Sequence, residues 1–322
     1  MNWQKDVQEI KYFCKADSTY QPALIYAPPH SNGKRPLLVG LHTWSYDYKR
    51  AGGDTVYAKW CIQNDWLFIH PNFRGPNTTP QAMGSEYVVA DIPDAVEYMT
   101  KHYSVDPERI YLIGASGGGH AAMLMAGRTP DLWAGVSAWC GISDIKKWWE
   151  HSVKTGSGYK NSVEASCGGN PGNDSVAAEE CLKRSPISYL RHAQSVNLDI
   201  NAGVRDGHQG SVPFSQSLYA FNEVATDDNK IEESDIKAFY NEGKVPPHGD
   251  RNISKILYKE HTPLFVKTSL NARIVIFDGA HEIIHLPALN WLAQQRKGVQ
   301  ASWIIDNPLF IDVSSQETQS GK

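Results

Sequence analysis

The chain has 322 residues, enough to bury a large core as one big α/β domain or as two smaller ones. A formal charge of −4 offers no electrostatic footprint for nucleic acid or an acidic membrane surface, and no apolar run approaches the roughly eighteen residues of a membrane span. The N-terminal MNWQKDVQEI lacks the apolar centre of a signal peptide, so the expectation is a cytoplasmic protein, or a secreted or periplasmic one whose leader has been removed.

Along the chain, short β-rich runs alternate with helical patterns. Residues 23–26 (ALIY), 36–41 (PLLVGL) and 66–69 (WLFI) read as strands bounded by Pro, Gly or Asn. Residues 88–103 place Val89, Ile92, Ala95, Val96 and Met99 on one helical face. The run 109–113 (RIYLI) is a strand leading straight into Gly114, and 117–127 is small and apolar, suited to a helix packed closely on a sheet. Residues 133–139, 196–204 and 273–277 supply further strands.

Near-continuous apolar runs such as LLVGL and IYLIG imply strands buried on both faces, as in a parallel sheet. The alternation predicts a doubly wound, mostly parallel α/β fold, with residues 1–312 as a single domain. Two insertions, 142–190 and 225–262, read as lids or binding loops, and 313–322 as a disordered tail.

Of the five cysteines, Cys61 and Cys140 sit in apolar stretches and read as small buried hydrophobes. Cys167 and Cys181 flank the loop CGGNPGNDSVAAEEC and are open to either reading, a disulfide in an exported protein or two free thiols. Ten tryptophans suit a large core, yet several fall in polar loops where stacking on a ligand is the alternative.

The strongest chemical signal is Gly114-Ala115-Ser116-Gly117-Gly118, which fits G-x-S-x-G with a strand before it and a helix of small residues after it. A serine nucleophile belongs at such a sharp turn, where its hydroxyl stands clear of the sheet. The Gly117 N–H, at the helix start, would point where an oxyanion forms. A second donor should come from the loop after an early strand, where Leu41-His42-Thr43-Trp44 follows PLLVG. The Trp44 amide is the candidate there, with the Tyr46 hydroxyl as its competitor. His120 stands four residues past Ser116 but in the wrong chain order for the base.

In a fold with this elbow the acid and then the base follow the serine, each on a loop after a strand. Asp206, in Arg205-Asp206-Gly207-His208 after the strand 196–204, is where the orienting carboxylate belongs. Asp144 and Asp278 are weaker candidates, and His208 shares the acid's own loop. After RIVIFDGA comes His281, the expected general base.

His281 also opens His281-Glu282-Ile283-Ile284-His285, a match to the H-E-x-x-H pattern of zinc peptidases. Pro287 two residues on, no third ligand downstream, and a strand and Gly turn leading directly into His281 argue against a metal. The expectation is no metal and no cofactor. Trp148, Trp149 and Tyr159 of the first insertion, beside Trp44, are the candidate aromatic wall for substrate.

The segments LLVGLHTWS, PNFRG, VDPERIYLIGASGGGHAA, KRSPISYL, GVRDGHQGSVP and FDGAHE together resemble α/β-hydrolases of the prolyl oligopeptidase-like group, which includes bacterial esterases acting on plant polysaccharides. The resemblance runs over about residues 20 to 300 and implies an α/β-hydrolase fold with the group's nucleophile on Ser116, its acid on Asp206 and its base on His281. Two departures stand out: His42-Thr43-Trp44 lacks the usual glycine, and GHQGS stretches the gap between Asp206 and Val212-Pro213. The larger peptidases of the group carry an N-terminal β-propeller that admits only peptides; none is expected here, and the expectation is therefore an esterase rather than an oligopeptidase.

The expected function is a serine ester hydrolase acting through an acyl-enzyme on a small-molecule or carbohydrate ester. An acetylated or feruloylated carbohydrate fits the resemblance. A serine peptidase is the alternative and an H-E-x-x-H zinc peptidase the remote one. Nucleic-acid and membrane partners are not expected.

Overall fold

The computed structural model describes residues 2–29, 33–250, 258, 261–305 and 308–309. Its centre is a nine-stranded sheet in the order β1-β2-β4-β3-β5-β6-β7-β9-β8. The strands are β1 (Gln8–Cys14), β2 (Thr19–Tyr26), β3 (Arg35–Leu41), β4 (Leu67–Pro71), β5 (Val105–Ala115), β6 (Gly135–Trp139), β7 (Leu198–Gly203), β8 (Pro263–Ser269) and β9 (Ala272–Phe277). The strands β4, β3, β5, β6, β7 and β9 run parallel, whereas β1 and β2 at one edge and β8 at the other are antiparallel.

The apolar runs read from the sequence form the parallel centre because both of their faces are covered. Leu37, Val39 and Leu41 of β3 enter one core and Leu38 the other. Ile110 and Leu112 of β5 likewise oppose Tyr111 and Ile113, the two-residue alternation of a strand.

Helices α2 (Glu86–His102), α3 (Gly117–Arg128) and α7 (Ser215–Val224) fill the first core, and α1 (Thr55–Gln63) and α9 (His285–Gln294) the second. Ser85 caps α2 by accepting from the Val88 amide, so that helix starts three residues before its apolar face declares itself.

The first insertion folds into α4 (Ile145–Thr155), α5 (Tyr159–Cys167) and α6 (Ser175–Lys183) around a small core of its own. Cys167 and Cys181 meet in that core with their sulfurs 2.7 Å apart. The second insertion contributes α8 (Glu233–Glu242). Its residues 251–257 and 259–260, and the tail 313–322, lie outside the described residues. No helix among the described residues is long and apolar enough to cross a membrane.

Candidate active site

The loops that follow β3, β5, β6, β7 and β9 converge at the carboxyl ends of the parallel strands, where ligands bind in open α/β sheets. The loops after β3, β5, β6 and β9, with Tyr159 of α5, line a cavity of about 380 Å³ whose wall includes Thr43, Trp44, Ser116, Cys140, Tyr159 and His281.

Ser116 sits between β5 and α3 at φ 57°, ψ −119°, a conformation that non-glycine residues rarely hold and that costs about 1–3 kcal/mol. Its backbone is over-determined: the Ser116 amide donates to Trp139 O at 2.8 Å, and its carbonyl accepts from His120 N at 2.9 Å. Gly117 packs against the Trp44 backbone. A Cβ there would lie 2.5 Å from the Trp44 backbone nitrogen, so the two candidate oxyanion amides are side by side only because residue 117 has no side chain. Neither amide donates to another described residue, which leaves both free for a ligand oxygen. The Tyr46 hydroxyl, the competing donor, belongs to a side chain 47 % exposed beneath the Arg50 guanidinium.

Asp206 and His281 meet as an acid and an imidazole should. The His281 Nδ1–H donates to Asp206 Oδ2 at 2.6 Å, the tautomer following from a carboxylate that can only accept. Asp206 is fully buried, and its other oxygen accepts from the Gly207 and Val212 amides at 3.0 and 3.1 Å. The long GHQGS segment is thereby explained: it carries the chain around so that Val212 returns to the carboxylate. Glu282 Oε1 accepts from the Ala280 amide at 2.9 Å, and the Cys140 thiol donates to Glu282 O at 3.1 Å, fixing the loop that bears His281. Burial pushes the Cys140 thiol well above its ordinary range.

The competing acids and bases are engaged elsewhere. Asp144 caps α4 through the Lys147 amide, and Asp278 pairs with Arg205 at the surface. His208 stacks on Tyr240 and bonds its carbonyl, while His120 is buried against Ile142 O.

The backbone does not set the H-E-x-x-H residues as a zinc peptidase would. Helix α9 begins only at His285, so His281 lies before it and the two imidazoles do not share a helical face. His285 instead donates from Nε2 to Gly53 O at 3.0 Å, and desolvation by its neighbours pushes its pKa down to about 4.

The aromatic wall also needs correction. Tyr159 and Trp44 line the cavity, but Trp148 and Trp149 do not. Trp148 is 1 % exposed, donates its Nε1–H to Ser211 O and packs edge-on against Trp44. Trp149 donates to Glu164 and covers Gly172. Both are core residues of the α4–α6 insertion and lie behind Trp44 and Tyr159.

Two residues escaped the sequence reading. Asn77, buried, donates its amide N–H to Trp44 O and accepts the Met83 amide on its side chain, which holds the Trp44 segment in place. Asp54 lines the cavity although only 8 % exposed, and its pKa is raised to about 7 by burial. Its Oδ2 lies 3.9 Å from Nε2 of His70, a neutral imidazole whose Nδ1–H is spent on Gly40 O and whose pKa burial lowers to about 3.

The sign of the resulting linkage is definite. Because the folded-state value lies above the unfolded one, Asp54 contributes fully to stability below about pH 4, and that contribution is lost as pH rises through 7. Three pKa units correspond to about 4 kcal/mol at most. Asp54→Asn is therefore expected to raise the urea midpoint at pH 8 and leave it nearly unchanged at pH 4, checked by denaturation at both.

Comparison with known proteins gives three kinds of likeness. The model of the prolyl oligopeptidase family matches residues 60–262. Feruloyl esterase B of Thermothelomyces thermophilus is 23% identical over 146 residues, covering 42% of this chain and 49% of that protein. The uncomplexed acylaminoacyl peptidase of Pyrococcus horikoshii superposes with a TM-score of 0.54 at 20% identity, over 68% of this chain and 34% of the peptidase. Oligopeptidase B from Leishmania major gives 0.52 at 15% identity, over 70% and 32%. The chain thus spans about half the length of the esterase and a third of the peptidases, and with the peptidases it shares the fold.

Proposed function

The chain belongs to the prolyl oligopeptidase family and is a serine hydrolase, and from that premise we propose that it cleaves carboxylic esters through an acyl-enzyme on Ser116. His281 Nε2 takes the hydroxyl proton as Ser116 Oγ attacks the ester carbonyl. The oxyanion develops between the Gly117 and Trp44 amides, each worth about 3 kcal/mol to the transition state. Collapse expels the alcohol, protonated by His281, and water then repeats the sequence to release the acid. Asp206 keeps the imidazole in the required tautomer and stabilises the imidazolium.

The observation that carries this reading is the 2.6 Å His281–Asp206 hydrogen bond at the edge of the cavity that Ser116 also lines. An acetylated or feruloylated carbohydrate is the substrate class we favour. It is supported by the stretch shared with a feruloyl esterase and by Tyr46 and Tyr159 on the cavity wall, since aromatic faces suit sugars and phenolic acyl groups alike.

The test is a serine-directed phosphonate together with a panel of acetyl esters, feruloyl esters and short peptide amides, each with and without chelator. We expect the label on Ser116, turnover of esters above peptides, and no effect of chelator. Peptide cleavage outpacing every ester would sink the ester assignment and leave a peptidase.

A further inference from the structure

We propose that Asp54 and Arg50, on the loop between β3 and α1, hold the polyhydroxylated alcohol part of the ester, so that the substrate is the ester of a neutral sugar; this rests on the serine-esterase reading above.

Asp54 carries the argument. It immediately precedes α1, where an aspartate ordinarily accepts an amide of the first turn, yet its side chain makes no capping bond. No described residue donates a hydrogen bond to its carboxyl group either. A carboxyl 8 % exposed that caps nothing, with His70 Nε2 at 3.9 Å beyond hydrogen-bond reach, is a burden on the fold unless something else supplies its hydrogen bonds. The one face open to it is the cavity that also contains Ser116 and His281.

Arg50 supplies the complementary chemistry. Its guanidinium lies 4.5 Å above the Tyr46 ring and forms no ion pair among the described residues. It is the one Lys or Arg side chain among the described residues lining the cavity. Five N–H donors on one side and a carboxyl acceptor on the other match the alternating donors and acceptors of a row of hydroxyls.

The charge pattern decides between a neutral sugar and an anionic one. Glu282 and Asp54 both line the cavity against the single guanidinium among the described residues, so a carboxylated ligand would find no excess of positive charge there. Tyr46 and Tyr159 offer the faces that the C–H side of a pyranose covers. The loop is held where this requires it, since His285 bonds Gly53 O directly beside Asp54.

The experiment compares four acetates by acetate release: 4-nitrophenyl acetate, cyclohexylmethyl acetate, 6-O-acetylglucose and an O-acetylglucuronate. In the unsubstituted protein kcat/KM for acetylglucose should exceed that for the cyclohexyl ester by about tenfold or more, the discrimination of one or two hydrogen bonds. Asp54→Ala and Arg50→Ala should each remove most of that preference through KM, lowering kcat/KM for acetylglucose about tenfold more than for the cyclohexyl ester measured in parallel, a split that loss of fold would not produce. Asp54→Asn and Arg50→Gln serve as milder variants, and both should weaken acetylglucose in the same direction.

Equal rates on the cyclohexyl and glucose esters, or a preference that survives all four substitutions, would overturn the subsite. So would a glucuronate preferred over glucose and lost in Arg50→Ala alone, which marks an anion site. Failure of the unsubstituted protein on every acetate and also on the feruloyl esters of the panel above would overturn the esterase reading itself, and with it this one.

Discussion

Ser116→Ala should lower kcat on an acetyl ester by about 10⁵- to 10⁶-fold, with KM and thermal stability little changed. Alanine keeps the Cβ and so faces the same cost at φ 57°, and the amide and carbonyl bonds that brace the turn are untouched. What disappears is the atom that forms the acyl-enzyme. If Ser116 and His281 act as a unit, adding His281→Ala to the first substitution should cost almost nothing more. Acetate release under single-turnover conditions measures both. A loss smaller than about a hundredfold for Ser116→Ala, or a double variant far worse than either single one, would remove Ser116 from the role assigned to it.

Asp206→Asn should reduce kcat by about 10⁴-fold, for a reason the hydrogen bonds make specific. Two backbone amides, those of Gly207 and Val212, point at one oxygen of the carboxylate. An asparagine must set its single oxygen there, which turns its NH₂ group toward His281 Nδ1. The imidazole then has to accept at Nδ1 and carry its proton on Nε2, where it cannot take one from Ser116. Gly210→Ala should damage the same pair by pressure. A Cβ at residue 210 would stand 2.2 Å from Asp206 Oδ1 and 2.8 Å from the His281 Cβ, so acid and base must separate. Both variants should retain slow labelling of Ser116 by a phosphonate, and Gly210→Ser should be no better than Gly210→Ala.

The parallel centre of the fold was legible because strands buried on two faces write themselves as unbroken apolar runs. The edges were not. β1 buries only Tyr12 and Cys14 well, and β8 carries Lys267 and an exposed Leu264, so neither has the run that marks a strand. Their pairing is decided by neighbours far away in sequence.

At the site, the elbow could be read because strand, serine and glycines occur in fixed order. The positions of Asp206 and His281 followed from chain order alone. Asp54 could not be read, since an aspartate before a helix looks like a cap until its missing bond is seen. Trp148 and Trp149 misled for the opposite reason. A polar loop can fold into three helices and bury its aromatics in a small core of its own.

The bond between His285 and Gly53 joins residues 232 positions apart. A contact of that span is among the last a folding chain can make, because the entropy of closing so long a loop is met only when most of the sheet is in place. The loop carrying Arg50 and Asp54 would then take its shape at the end of folding, when α9 docks. Partly folded forms that had already built the elbow around Ser116 would present a nucleophile without a finished binding wall. Competence would arrive as a single late event, with docking of the C-terminal helix as its clock.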